Sequence, residues 1–468
     1  MEPIEGLGAL ALVPASTAIV LAFLTRNTLF ALAVACLAGV LVAGLGLAGF
    51  PKLLVSALGN EGFSWVMLLE FFIGMLIAFF QRTGAIENFS AFISRQAMSR
   101  RRVQLMTWLM GTFVYFSDYF SPLFVGSTMR KLSDQFRLSR EKLAYICDST
   151  SAPVSILVPI TGWAVFVAGL TIGMGPIGSA DEAMAVFVAA VPYNLYAWLA
   201  VGMVALIALG VLPDWGPMAA AERRAQETGQ VLRPGSQPML AEELTGLTPY
   251  EGVKTSLFWN FFFPVLVVIG FALTAVALVG SAKPMEAFLL AVVVSAVIMR
   301  LQGFPLEEIT RTAVTGVKGI MPAVLILALA YALNALSEAM QTAQVILAMT
   351  EGWLSPGLLP ALAFLLTGAV AFSTGTSWGT YAIMIPLALP LALGFSGDAL
   401  GPLVYATLAA VAGGGVFGDH CSPLSDTSIL ASTGAASDHM DHVKTQLPYA
   451  FAIAGISLVA YLILGMTL

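Results

Sequence analysis

The sequence predicts an all-α polytopic membrane protein made of two inverted repeats, each with five spans and one re-entrant hairpin, and with broken helices at the midplane. Three observations lead there. Hydrophobic residues make up 58% of the 468-residue chain and charged residues only 10%, too few charges to coat a soluble globule. The apolar residues gather in continuous runs near the ~20 residues that cross a bilayer as helix. Porin-type barrels alternate apolar and polar residues over short segments instead. Finally, the two halves of the chain present the same order of elements.

Taken in order, full-length candidates lie near 8–25, 29–50, 64–81, 143–171, 184–211, 257–280, 285–302, 320–341, 400–431 and 445–467. Two further apolar stretches, 103–128 and 358–394, do not read as simple spans. The first is flanked by Arg100, Arg101 and Arg102 and by Arg130 and Lys131. Basic residues mark the cytoplasmic face, so both of its ends are expected inside. Its middle, Tyr115-Phe116-Ser117-Asp118-Tyr119-Phe120-Ser121-Pro122, is a polar, turn-forming tip. The second stretch lies between Glu351 and Asp398 and carries Ser373-Thr374-Gly375-Thr376-Ser377 at its middle. It is expected to dip in from outside.

Ten spans with both termini outside put all of the 21 Lys and Arg residues inside except Lys52 and Lys283, as the positive-inside rule demands. The hydrophilic segment 212–256, with Pro213, Pro217, Pro234 and Gly235, reads as a cytoplasmic linker with a short surface helix near 218–229. It is too short and too polar to fold as a catalytic domain. The repeats are therefore bounded at 1–211 and 257–468. Five crossings per repeat is an odd number, so the second repeat is upside down relative to the first. Inverted repeats with broken helices are the architecture of secondary transporters, whose sites lie near the midplane.

The opening Met1-Glu2-Pro3-Ile4-Glu5 lacks the basic residues of a cleavable signal peptide. Cys36, Cys147 and Cys421 have no metal-site spacing and no disulfide framework. No cofactor, nucleic acid or resident metal is expected. The partners are the lipid bilayer and the transported solutes.

The chemistry falls on two mirrored motifs. One is Asp148-Ser149-Thr150-Ser151-Ala152-Pro153, inside 143–171. The other, inside 400–431, is Asp419-His420-Cys421-Ser422-Pro423-Leu424-Ser425-Asp426-Thr427. Each places an Asp a few residues before a Pro, with hydroxyls between. Proline removes a helix hydrogen bond and opens the backbone, and opened backbone at membrane depth is tolerated where it lines a site. Carboxylate, hydroxyl and carbonyl oxygens suit Na⁺ or a proton rather than a soft metal. The expected cation ligands are Asp148, Ser149, Thr150, Asp419, Ser422, Ser425, Asp426 and Thr427.

The hairpin tips add Ser117, Asp118, Ser373, Thr374, Gly375, Thr376 and Ser377 as candidates for substrate contact. Glu70, mid-span in 64–81, is a candidate proton carrier, because apolar surroundings drive a carboxylate toward its neutral form. Asp148, Asp419 and His420 are the other candidates. The run Asp438-His439-Met440-Asp441-His442 is expected to be a solvated helix–loop junction rather than a metal site.

The stretch Gly418–Thr427, with Ser432-Thr433-Gly434 and with Asp438 through Tyr449, closely resembles the signature of the NhaC-type Na⁺/H⁺ antiporters. Asp148–Pro153 and Pro159-Ile160-Thr161-Gly162-Trp163 look like that family's partner motif. The resemblance implies a scaffold-plus-transport-domain fold, often a homodimer, in a bacterial or archaeal cytoplasmic membrane. It also implies Na⁺/H⁺ exchange by alternating access at midplane carboxylates.

The competing reading is a sodium-coupled carrier or exchanger of a small organic acid or amino acid. Helix N-termini at hairpin tips favour an anion, but the tips and broken motifs carry no arginine to clamp a dicarboxylate. A channel fits inverted repeats less well, and a membrane enzyme leaves the mirrored Asp motifs without a role.

Overall fold

The computed structural model describes residues 4, 6–25, 27–86, 88–89, 99–115, 118–159, 161–239, 247–279, 283–342, 345 and 355–468. Apart from two isolated bridges, the described residues form helices and their connections. In the first half these are α1 (Val13–Thr25), α2 (Thr28–Val42), α3 (Gly49–Leu58), α4 (Glu61–Arg82), α5 (Arg100–Phe113), α6 (Phe120–Gln135), α7 (Arg140–Ser149), α8 (Ala152–Ser155), α9 (Gly162–Gly169), α10 (Ala180–Ala190) and α11 (Leu195–Ala208). The linker forms α12 (Gly216–Thr228), matching the surface helix expected near 218–229. The second half holds α13 (Phe263–Val279), α14 (Pro284–Leu301), α15 (Leu306–Ala339), α16 (Leu359–Thr374), α17 (Ser377–Phe395), α18 (Pro402–Cys421), α19 (Asp426–Ala435) and α20 (His439–Thr467).

Polar caps set many of these boundaries, because the first backbone N–H groups of a helix need an acceptor. Asn60, Ser99, Ser139, Ser425 and Asp438 each accept one from the residue three positions on. By length and composition, three described helices would cross a bilayer singly: Phe258–Val279, Ser377–Phe395 and His439–Thr467. Two bent pairs raise the number to five: Asp181–Tyr193 with Leu195–Ala208 (50°) and Leu306–Pro322 with Val324–Ala339 (42°). Of the other stretches expected as spans, 64–81 lies within the 22-residue α4 and 285–302 coincides with the 18-residue α14, whereas 8–25, 29–50 and 143–171 are built of shorter pieces. Proline inside α15, at Pro322, accounts for its bend. Within 358–394, the second arm α17 is 19 residues long and is itself one of those three single helices.

Packing sorts the helices into two bodies. One apolar cluster joins α1 through α4 to α13, α14 and α15. A second joins α9 through α11 to α16, α17, α18 and α20. Helices α6, α7 and α19 pack on one another and contribute buried residues to the first cluster. The α6–α19 crossing is close because both helices put glycine there. A Cβ on Gly126 would meet the Gly434 backbone, and one on Gly434 would meet the Leu123 backbone.

The linker fastens one end of this assembly. Glu222 on α12 pairs with Arg100 at the start of α5, and it accepts the Ser139 N–H at 2.8 Å just before α7. Both ends of the α5–α6 pair therefore lie on the same side, beneath the linker helix. Lys142–Asp214, Glu141–Arg224 and Asp441–Arg233 ion pairs extend the seam.

Candidate cation and proton site

Both predicted breaks are present. Helix α7 ends at Ser149, one residue past Asp148, and α18 ends at Cys421, two past Asp419. Helix α19 then starts at Asp426. Each tip docks on a break. Tip one touches the first: Ser155 Oγ donates to the Tyr115 carbonyl at 2.9 Å. Tip two touches the second: Ser422 Oγ donates to the Phe372 carbonyl at 2.7 Å. Gly375 turns the second tip at φ +73°, and its backbone lies so close to Leu424 O that a side chain would collide.

Three carboxylates converge from three elements. Asp419 accepts from Ser377 Oγ of tip two at 2.7 Å and from Ser425 Oγ of the break. Thr427 Oγ1 lies 3.0 Å from Ser425 Oγ. Asp426 accepts from the Tyr119 hydroxyl of tip one at 2.9 Å. Asp118, also on tip one, is close enough for its charge to act on both of the others. All three are buried, and Asp118 Oδ2 has no hydrogen-bond partner. Among the described residues, none of the three is ion-paired with Lys or Arg. Buried negative charges cannot persist uncompensated, so the cluster calls for bound cations or protons. The hydroxyls around it are able to rotate lone pairs toward a cation.

Asp148 sits in a different setting. Its Oδ2 accepts from Ser428 Oγ at 2.9 Å and from the Gln446 amide at 2.8 Å, with His442 Nε2 at 3.6 Å. Its Oδ1 is buried without a hydrogen-bond partner. Amide and imidazole N–H groups present the positive ends of their dipoles. They stabilise the ionised carboxylate and occupy the Oδ2 lone pairs that a metal ion would need. Ser428 joins the two settings, since its Oγ is also 3.5 Å from the Asp419 carbonyl.

Several predicted ligands are turned elsewhere. Ser149 Oγ pairs with His420 Nε2 at 2.9 Å, and Thr150 Oγ1 donates to the Ile146 carbonyl one turn back at 2.8 Å. His420 also meets the Tyr196 hydroxyl at 2.9 Å through Nδ1. Ser373 and Thr374 both donate to the Val370 carbonyl at 2.9 Å, while the Thr376 carbonyl accepts from Thr380 at 2.7 Å. Ser117 lies outside the described residues. Glu70 on α4 is buried, and neither of its oxygens has a hydrogen-bond partner.

One expectation is corrected. The Asp438–His442 run is not solvated: His439, His442, Asp438 and Asp441 are all buried. The reason is the linker, which covers this corner through the Arg233–Asp441 pair and a hydrogen bond from Gln237 N–H to Asp438 at 2.7 Å. The residues missed in the sequence are His442, Gln446, Ser428, Tyr119 and Tyr196. A signal existed for two of them: with His439, His442 and Gln446 form a helical stripe at spacings of three and four, which marks one face of α20.

The profile of the Na⁺/H⁺ antiporter family matches residues 169–466, a region that contains the Asp419 motif and the α20 stripe but not Asp148. An uncharacterized protein of Haemophilus influenzae is 31% identical, with 97% of this chain and 91% of that protein aligned. Shorter matches are to the arginine/ornithine antiporter ArcD of Halobacterium salinarum, 38% identical over 24% of this chain and 22% of that one. An uncharacterized Na⁺/H⁺ antiporter of Haemophilus influenzae is 34% identical over 24% and 23%. With more than half of its length matched by that profile, this chain belongs to the Na⁺/H⁺ antiporter family and is an integral membrane transporter.

Proposed function

We propose that the transporter exchanges Na⁺ for H⁺ by alternating access. Na⁺ binds at Asp419 and Asp426 with Ser377, Ser425 and Thr427 supplying oxygens, Asp118 completes the charge, and Asp148 serves as a proton site. The observation that carries this reading is the convergence of three buried carboxylates and rotatable hydroxyls with no Lys or Arg pairing among the described residues. Ser422 anchors tip two, while Ser149 supports His420. The repeat boundaries, a cytoplasmic linker, outward termini and a homodimer belong to the same proposal.

The amino-acid exchanger reading draws on the likeness to an arginine/ornithine antiporter. The geometry of tip two speaks against an anion there. The N-terminus of α17, where an organic carboxylate would dock, already faces Asp419 through Ser377. Asp426 likewise occupies the first turn of α19.

The test is transport in proteoliposomes with an internal pH dye. Na⁺ alone is expected to drive proton movement, and Asp419→Asn to abolish it with expression retained. For one competing proton, the apparent half-saturation for Na⁺ rises about tenfold per unit of falling pH in the competing range. A pH-independent half-saturation together with an absolute need for an amino acid would replace exchange by solute coupling.

A further inference from the structure

Helices α19 and α20 bring His439, Ser432 and His442 into one buried group whose hydrogen bonds fix most of its protons. Gln446 orients the first ring. Its amide nitrogen faces the His420 carbonyl, which can only accept, and Asp148 Oδ2, so its Oε1 faces His442 Nε2 at 2.8 Å. His442 Nε2 must therefore carry a hydrogen. His439 Nε2 lies 3.0 Å from the Pro423 carbonyl and must carry one too. A neutral imidazole has a single N–H, so both rings, when neutral, present bare Nδ1 atoms. Those atoms lie 3.1 Å and 2.8 Å from the same Ser432 Oγ, which also lies 2.8 Å from the Ser428 carbonyl. The hydroxyl has one hydrogen for three acceptors. Counting only the two Nδ1 contacts, the group is one proton short.

We propose that His439 and His442, bridged by Ser432, together hold one exchangeable proton and form the proton-loading site on the linker side of Asp148. A proton added to either Nδ1 lets that ring donate to Ser432 Oγ, and the Ser432 hydrogen then turns to the other Nδ1. No bond other than N–H is made or broken. A buried imidazolium needs a counter-charge, and the Asp148 carboxylate stands 3.6 Å from His442 Nε2.

Among the described residues, other titratable or charged groups approach the pair from α7, α18, α20 and the linker. His420 approaches from α18, and its carbonyl is held by Gln446. Asp438 and Asp441 lie at the start of α20, the latter held by Arg233. Arg140, at the start of α7, donates to the Ala435 carbonyl at the end of α19. Arg233 and Asp441 form the rim between the pair and the linker surface, so a proton arriving from that side meets this pair before Asp148. The proposal builds on the exchange reading only in giving the stored proton its use.

The chain has three histidines, which makes a direct measurement practical. Detergent-solubilised protein carrying ¹⁵N-histidine is titrated over about pH 5 to 9, with His420→Gln, His439→Gln and His442→Gln for assignment. In wild type, His439 and His442 are expected to gain one Nδ1 proton between them, with both resonances moving in one transition. Ser432→Ala is expected to split that transition, and Asp148→Asn to remove it within the range. Neutral Nε2–H forms of both rings throughout, or two independent transitions in wild type, would overturn the proposal. Na⁺-driven dye response is recorded on the same preparation after reconstitution. Its absence beside an intact shared transition removes the exchange reading and leaves the histidine site standing.

Discussion

Of the hydroxyl residues Ser373, Thr374, Thr376 and Ser377 at the second tip, Ser377 alone donates to a carboxylate of the cluster. Ser377 Oγ donates across the tip to Asp419 Oδ2 at 2.7 Å, whereas Ser373 and Thr374 bond the Val370 carbonyl of their own helix. If Ser377 is a cation ligand, Ser377→Ala deletes one charge-assisted interaction, which is about 1.5–3 kcal/mol. At about 1.4 kcal/mol per factor of ten, that is a rise of roughly 10- to 150-fold in the apparent half-saturation for Na⁺. Ser377→Thr keeps the hydroxyl and should recover most of the loss. Ser373→Ala and Thr374→Ala should leave the constant near wild type, because their hydroxyls only cap a carbonyl one turn back. The assay is a Na⁺ titration of the dye response in proteoliposomes, normalised to reconstituted protein. An unchanged or tightened constant in Ser377→Ala would show that this hydroxyl serves the empty carboxylate rather than the ion, and would refute the ligand assignment.

Glu70→Gln is expected to leave Na⁺/H⁺ stoichiometry unchanged, since Glu70 has no hydrogen-bond link to the acidic cluster; loss of proton coupling with retained Na⁺ flux would move the proton carrier to α4. Glu222→Gln weakens the Arg100 pair and the Ser139 bond, and should lower stability by about 1–3 kcal/mol, read as a fall in the thermal midpoint of detergent-solubilised protein. With the linker cytoplasmic, a single cysteine at exposed Gln226 should label only from inside and one at exposed Asp181 only from outside; labelling of both from one face would invalidate the topology.

The breaks were legible because their cause is local. A proline beside an Asp and several hydroxyls interrupts a helix whatever surrounds it, so Asp148 and Asp419 fall at helix ends as expected. The direction of each hydroxyl was not legible. Ser and Thr one turn past a carbonyl readily bond it, and Thr150 does so although it sits within the motif. Burial of His439 and His442 was hidden for another reason: Asp438-His439-Met440-Asp441-His442 is as polar as a surface loop, and only the distant residues Arg233 and Gln237 reveal what covers it. Helix lengths were not legible either, because they depend on where tips and breaks dock.

The linker's attachments bear on how α4 is joined to α5, α7 and α20. Its first part, through Met239, is tied to α5, α7 and α20, ending with the Met239 N–H on the Ser437 carbonyl. From Thr248 onward it is tied to α4 instead: Arg82 donates to the Thr248 carbonyl at 2.7 Å and accepts the Tyr250 N–H at 2.8 Å. The chain between Met239 and Leu247 joins these two sets of attachments. Fully drawn out, it reaches about 26–29 Å. Any displacement of α4 relative to α5, α7 and α20 must therefore fit within that length.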